Sequence, residues 1–147
     1  MTTPLQLCSA QTNARVHPSV LVPSTALRLV MGRNRGVVVL SVSGEVDAFN
    51  SVQLGRTLAG MPHHREPVVV DFRALRFCSV AGVSVLSHLH EQFRSKNAVW
   101  AVVPGPWLTR VLQAVPARVL LPLCPDIDDA IRLVRLRSEQ KSASVRD

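Results

Sequence analysis

At 147 residues, 47% of them hydrophobic and 18% charged, the chain is sized for one domain, which at this length buries roughly 68–70% of its unfolded surface and needs no covalent staple. Cys8, Cys78 and Cys124 are odd in number and widely spaced, which argues against a secreted disulfide framework, and no leader with a charged start and an apolar middle is visible. The longest apolar runs, such as Gly36 to Val42, fall well short of the roughly 18 residues a membrane span requires, so a cytoplasmic protein with no membrane insertion is expected. The formal charge of +7, from fifteen arginines and two lysines, favours anionic partners without naming one. With aromatic residues at 4% and no zinc-finger spacing or base-stacking motif, nucleic acid is not the expected partner.

In chain order, residues 1 to about 26, with Pro4, Pro18 and Pro23, read as an irregular arm. Leu27–Met31 and Gly36–Val42 read as two strands joined by the turn-forming GRNRG. Asn50 or Ser51 is placed to cap a helix ending near Gly60. Pro67 to Phe72, PVVVDF, is a buried strand that gives way to a loop. A helix then opens at Ser79 and runs from about Val80 to Lys96, with Val83, Leu86, Leu89, His90 and Phe93 on one stripe.

Ala98 to Val103 is the next strand, and Leu108, Val111, Leu112 and Val115 have the spacing of a helix face. Arg118 to Leu123 is a short strand that Pro122 pushes to a sheet edge. Ile127, Ala130, Ile131 and Val134 mark a last helix, whose acids at Asp126 to Asp129 and bases at Arg132, Arg135 and Arg137 follow the order that suits a helix dipole. Residues 137–147 read as a polar tail. The order ββαβαβαβα predicts an α/β domain with a mixed or mostly parallel sheet packed by helices.

Three segments together resemble the STAS domain of bacterial anti-sigma factor antagonists: SGEVDAFN at Ser43 to Asn50, VVVDFRALRFCSVAGVSVL at Val68 to Leu86, and AVVPGPWLTRVLQAV at Ala101 to Val115. The resemblance spans residues 27–136 and implies a single STAS-like domain with a mixed four- to five-stranded sheet and about four helices. The family signature is a strand ending in Asp, a loop, and D-S-[ST]-G-[LVI] at a helix start. Asp71 matches the strand aspartate, Phe77 the aromatic position, Gly82 the glycine and Val83 the apolar residue after it. Glu45 and Asp47 stand in the acidic places of the family's G-E-[LIV]-D.

Aligning Gly82 with the motif glycine puts Ser79 at the aspartate, Val80 at the phosphoacceptor serine and Ala81 at the following hydroxyl residue. Valine has no hydroxyl, so the family's phosphorylation switch has no acceptor there, and Ser79 is the nearest substitute. Read by itself, Ser79 is an ordinary N-cap. Gly82 suits either close packing of the helix start on the sheet or the approach of a partner's backbone. The expected partner surface is Glu45, Asp47, Asn50, Ser79, Val80, Ala81, Gly82 and Val83.

Cys78 precedes a helix N-terminus, where the dipole lowers a thiol pKa, and Cys124 could share its side of the sheet, so the two form a candidate redox pair. His63 and His64 lie in one loop, and His88 and His90 point apart on a helix, so no metal site is expected. There is no nucleophile elbow and no phosphate-binding glycine loop. The resemblance therefore implies a non-enzymatic regulator, without a cofactor, that sequesters an anti-sigma factor or related ATP-fold kinase protein and so frees a sigma factor; a homodimer is left open. The alternatives are an accessory STAS subunit of a membrane transport ATPase and a basic nucleic-acid-binding protein.

Overall fold

In the computed structural model, which describes residues 26–61, 66–115 and 121–146, four strands form one sheet in the order β1-β2-β3-β4. These are β1 (Leu27–Asn34), β2 (Val37–Val46), β3 (Val68–Cys78) and β4 (Trp100–Val103). The helices are α1 (Asn50–Ala59), α2 (Val80–Ser95), α3 (Gly105–Ala114) and α4 (Ile127–Arg146). β1 and β2 pair antiparallel, whereas β2, β3 and β4 run parallel, so the expected α/β class and mixed sheet are found. The hairpin between β1 and β2 turns on Arg35 and Gly36 at φ 54° and 78°, the left-handed pair that lets a two-residue turn follow the strand twist.

Strand alternation divides the core into two. The row Leu40–Val70–Val102 faces α1, α2 and α3, together with Leu54, Leu58, Val83, Leu86, Leu89, Phe93 and Leu108. The row Val39–Val69–Ala101 faces the opposite way, onto Ala130, Ile131 and Val134 of α4. Where β3 and β4 pair and the sheet is covered on both faces there is no solvent side, which is why Val68–Val70 and Trp100–Val103 read as apolar runs.

Several boundaries differ from the sequence expectation. β2 and β3 continue to Val46 and Cys78, past the expected ends at Val42 and Phe72, because the expected loop after Phe72 stays in register with β2 through Leu75, Phe77 and Cys78. Two register irregularities, between Ser41 and Ser43 and between Gly44 and Glu45, absorb the mismatch that broke the apolar alternation in the sequence. The residues from 137 onward are helix to Arg146, where a polar tail was expected; α4 simply outlasts its apolar stripe. Asp147, the arm at 1–25 with Cys8, the pair His63 and His64, and residues 116–120 lie outside the described residues. Of the expected strand at 118–123, Leu123 makes one parallel bridge to Val102, with Val102 N–H donating to the Pro122 carbonyl and Cys124 N–H to the Val102 carbonyl, both at 2.8 Å.

Two glycines are fixed by close approach. Gly44, at φ 98°, would place a β-carbon 2.1 Å from the Ala26 carbonyl oxygen. Gly105, at φ 70°, starts α3 directly against β3: a β-carbon there would lie 2.6 Å from Arg73 Cα and 2.9 Å from the Phe72 carbonyl oxygen. Both neighbours are backbone and cannot turn aside. Gly105→Ala is therefore expected to cost roughly 2–4 kcal/mol of stability from a left-handed φ and a forced shift of α3, measured as a lowered urea midpoint at unchanged slope.

Candidate functional site

The carboxyl ends of β2 and β3 lie side by side, with Glu45 paired to Phe77 and Val46 to Cys78. Each strand turns directly into a helix, and each turn is tied down by a short side chain. After β2, Asp47 Oδ1 accepts from the N–H groups of Phe49 (2.9 Å) and Asn50 (2.8 Å), while Asn50 Oδ1 accepts from Asp47 N–H and Asn50 Nδ2 donates to the Glu45 carbonyl, both at 2.9 Å. Neither Asn50 nor Ser51 caps α1, which follows Phe49 without a side-chain cap; Asp47 takes up the Phe49 and Asn50 N–H groups instead, and Asn50 is a buried clasp across the turn.

After β3, Ser79 is the N-cap of α2 as expected: its Oγ accepts from Gly82 N–H at 3.3 Å, and its own N–H donates to the Val46 carbonyl at 2.9 Å. Gly82 is closed in by the sheet, since a β-carbon there would stand 2.8 Å from Val46 Cγ1 and 2.9 Å from Cys78 Sγ. This is the geometry of the close-packing reading of Gly82.

The expected surface residues separate into two groups. Glu45 and Val80 are exposed, and Asp47, Ser79 and Ala81 are half-buried. Asn50, Gly82 and Val83 are buried: Asn50 is hydrogen-bonded across its turn, Gly82 is packed on the sheet and Val83 lies in the core. In their place the structure exposes apolar residues that the sequence reading did not assign to the site: Phe49 at 91%, Val52 at 51% and Phe77 at 44%, beside Val80 at 62%. A signal existed for two of them. Leu54 and Leu58 mark the inner stripe of α1, and Val52 and Phe49 fall roughly 140–200° away from Leu54 on a helix turning 100° per residue. Trp107, at the start of α3 beyond β4, is also partly exposed and carries the Arg110 guanidinium 5.0 Å over its ring.

Asp71, the strand aspartate, lies in the row Ser41–Asp71–Val103 and so on the α4 side of the sheet. It is buried, accepts from Arg73 N–H at 2.9 Å, and holds the Arg73 guanidinium in a fork at 3.0 Å from Nε and 3.0 Å from Nη2. Its work is structural, fixing β3 at the point where β4 ends.

The structure does not bring the two redox candidates together. Cys78 and Cys124 are both free thiols, buried in separate core clusters on opposite faces of the sheet. Burial pushes the Cys78 thiol up to about 11, the reverse of the lowering expected from the helix dipole. Burial likewise raises Cys124, against the pull of Arg137 and with help from Asp129 and Asp126. Among the described residues no group of three or more His, Cys, Asp or Glu side chains is placed to hold a metal, and no helix is long and apolar enough to cross a membrane.

Comparison with known proteins agrees with this architecture. The family model described as "Mlab, STAS domain" matches residues 30–120. Osmosensory protein A of Mycobacterium tuberculosis is 34% identical over 68 residues, 46% of this chain, and the match covers 43% of that protein's length. Among solved structures, an anti-sigma factor antagonist from Mycobacterium paratuberculosis superposes with a TM-score of 0.64 at 26% identity, over 78% of this chain and 99% of that one. The anti-sigma factor antagonist SpoIIAA in its unphosphorylated form shares the fold, with a TM-score of 0.56 at 20% identity over 75% of this chain and 96% of that one.

Two outcomes follow from this geometry. Cys78 should resist iodoacetamide at pH 8 in the folded protein and react once guanidinium unfolds it. Because the folded thiol titrates near 11 against an ordinary 9.0, the unfolded state loses its proton first, and the stability present below about pH 9 should fall progressively toward pH 11, an effect absent in Cys78→Ala.

Proposed function

The chain belongs to the STAS domain family, and within it we propose a non-enzymatic binding module that acts as an anti-sigma factor antagonist, sequestering an anti-sigma factor or related ATP-fold kinase protein and so freeing a sigma factor. The observation that carries this reading is the exposure of Phe49, Val52, Phe77 and Val80, residues that stand at or shortly after the carboxyl ends of β2 and β3. Open α/β sheets present ligands at this end. Large apolar side chains exposed there, with Glu45 paired to Phe77 across the strands, are the kind of surface that marks a protein interface. Likeness to the mycobacterial antagonist supports the choice of partner.

Val80 sets the regulation. Where the family has a hydroxyl that takes phosphate, this chain presents an exposed branched hydrocarbon, so the complex forms by close packing and a kinase has no acceptor at that position. Ser79, one residue earlier, is half-buried and its Oγ is engaged by Gly82 N–H, which makes it a poor substitute. Phe49, Asp47 and Glu45 extend the contact along the β2 turn, while Asn50, Gly82 and Val83 hold the two turns in place without touching the partner.

The test is a pull-down with the full chain from its native host, followed by affinity measurement on the captured protein. Val80→Glu should fold normally, because the site is exposed, and weaken binding by roughly 2–4 kcal/mol, thirtyfold or more, by burying an unpaired carboxylate. Phe77→Ala should cost about 2 kcal/mol as the loss of an aromatic anchor. Incubation with the captured kinase and ATP should leave affinity unchanged. Normal affinity in a folded Val80→Glu variant places the interface elsewhere, stoichiometric phosphate on Ser79 with loss of binding restores the switch one residue away, and capture of a transporter ATPase in place of an anti-sigma factor favours the accessory-subunit reading.

A further inference from the structure

The end of the sheet remote from these exposed apolar residues carries a second concave site, built from the last turn of α2, the start of β4 and the C-terminal half of α4. It is a cavity of about 230 Å3 whose polar lining is His90, Arg94, Asn97, Trp100, Arg137 and Lys141. Three cations thus converge from two helices. Arg137 and Lys141 are four residues apart and share one face of α4, an arrangement that repels and weakens a helix unless something of opposite charge lies between them. Glu139, the nearest acid on α4, does not supply it: it lines a different cavity, on the other flank of the helix with Arg35, Pro67 and Arg135. Among the described residues, no salt bridge engages Arg137 or Lys141.

The other charges nearby leave the site cationic. Glu91 reaches Arg94 at 3.6 Å, but both side chains are about two-thirds exposed, and a pair of that kind contributes little. The C-terminus of α2, which would bring partial negative charge, is closed by its own backbone: Asn97 N–H donates to the Arg94 carbonyl at 3.1 Å and Ala98 N–H to the Phe93 carbonyl at 2.9 Å. Trp100 is buried edge-on against Phe93 and donates its indole N–H to His90 Nδ1 at 3.1 Å, which fixes the imidazole and leaves its proton on Nε2. Burial holds His90 below its usual pKa, reinforced by Arg94 and opposed by Glu91, so at neutral pH the ring is an uncharged donor beside three fixed cations.

We propose that this cavity binds a small phosphomonoester-type dianion, held by Arg94, Arg137 and Lys141 with His90 beside it. Guanidinium groups grip such oxygens through paired N–H donors and the lysine adds a compact charge. The volume lies below the roughly 300–1,000 Å3 of cofactor-sized pockets, so the group accepted is a phosphate head rather than a whole nucleotide. The head could belong to a soluble metabolite or to a lipid, and both offer the same dianion.

The experiment titrates the full chain with inorganic phosphate at constant ionic strength and follows amide and imidazole resonances. Saturable shifts confined to residues around Arg94, Asn97, Arg137 and Lys141, with the His90 pKa rising because an adjacent dianion favours the imidazolium, support the proposal. The double variant Arg137→Gln/Lys141→Gln should then weaken binding about tenfold or more, while Arg132→Gln, which removes an equal kind of charge from α4 outside the cavity, should leave it unchanged. Shifts spread over the whole basic surface and matched by chloride overturn the proposal, as does equal weakening by Arg132→Gln or persistence of binding in the double variant. Vesicles distinguish the source. Binding to phosphatidic acid but not to phosphatidylglycerol at equal charge, lost in the double variant, assigns a lipid head; saturable phosphate binding without vesicle binding assigns a soluble ligand.

Discussion

The arrangement at the candidate site depends on one contact, the Gly82 backbone seated against Val46 Cγ1 and Cys78 Sγ with no room for a β-carbon. Through it the first turn of α2 sits on the ends of two neighbouring strands at once. Ser79 N–H reaches the Val46 carbonyl only because that seat is so close, and the same hydrogen bond sews the end of β2 to the start of α2. Asp47 then turns the chain out of β2 and into α1 beside it. Phe77 and Val80, which flank this seat in sequence, are exposed.

The site therefore combines a rigid base with an uncovered apolar top. Asn50, Ser79 and Gly82 give the base its geometry, through hydrogen bonds that are already complete within the chain. Phe49 and Val80 are mostly exposed and Val52 and Phe77 about half so, which leaves apolar surface uncovered at this end among the described residues. Under the proposed function, Val80 at the family's hydroxyl position leaves this surface to be governed by packing rather than by phosphate. The opposite end of the sheet has the contrary character, with arginines and a lysine of α2 and α4 around a polar cavity.

Cys78 shows two effects in competition. Its sequence position favours the thiolate, since a helix N-terminus follows it, while its place in the structure opposes the thiolate, since Val46, Gly82 and the end of β3 wall it off from water. Desolvation wins, and the thiol ends near 11. A helix dipole acts within about one turn and is modest even there, whereas removal of water from a charge is expensive everywhere in the core.

The sequence by itself determined the alternation of strands and helices, the core stripes of α2 and α4, the Ser79 cap and the likeness to anti-sigma factor antagonists, because periodicity, capping chemistry and a short motif are local properties of the chain. It also held the absence of a hydroxyl at Val80 in plain view. It did not disclose that β3 runs on to Cys78, since that extension is held by cross-strand register with β2 and passes through Arg73 and Arg76, which break the apolar pattern. Nor could it separate Cys78 from Cys124, because which face of a sheet a residue occupies depends on pairing and on a loop that spacing does not fix. Gly82 and Asn50 looked like contact residues in the motif, and their burial emerged only when two distant strands met beneath them. The helix period of α1 already turned Phe49 and Val52 away from Leu54, but exposure at a strand end is a property of the assembled surface, so the tertiary structure alone decided that Phe77 and Val80 face water at one end of the sheet while Arg94, Arg137 and Lys141 gather at the other.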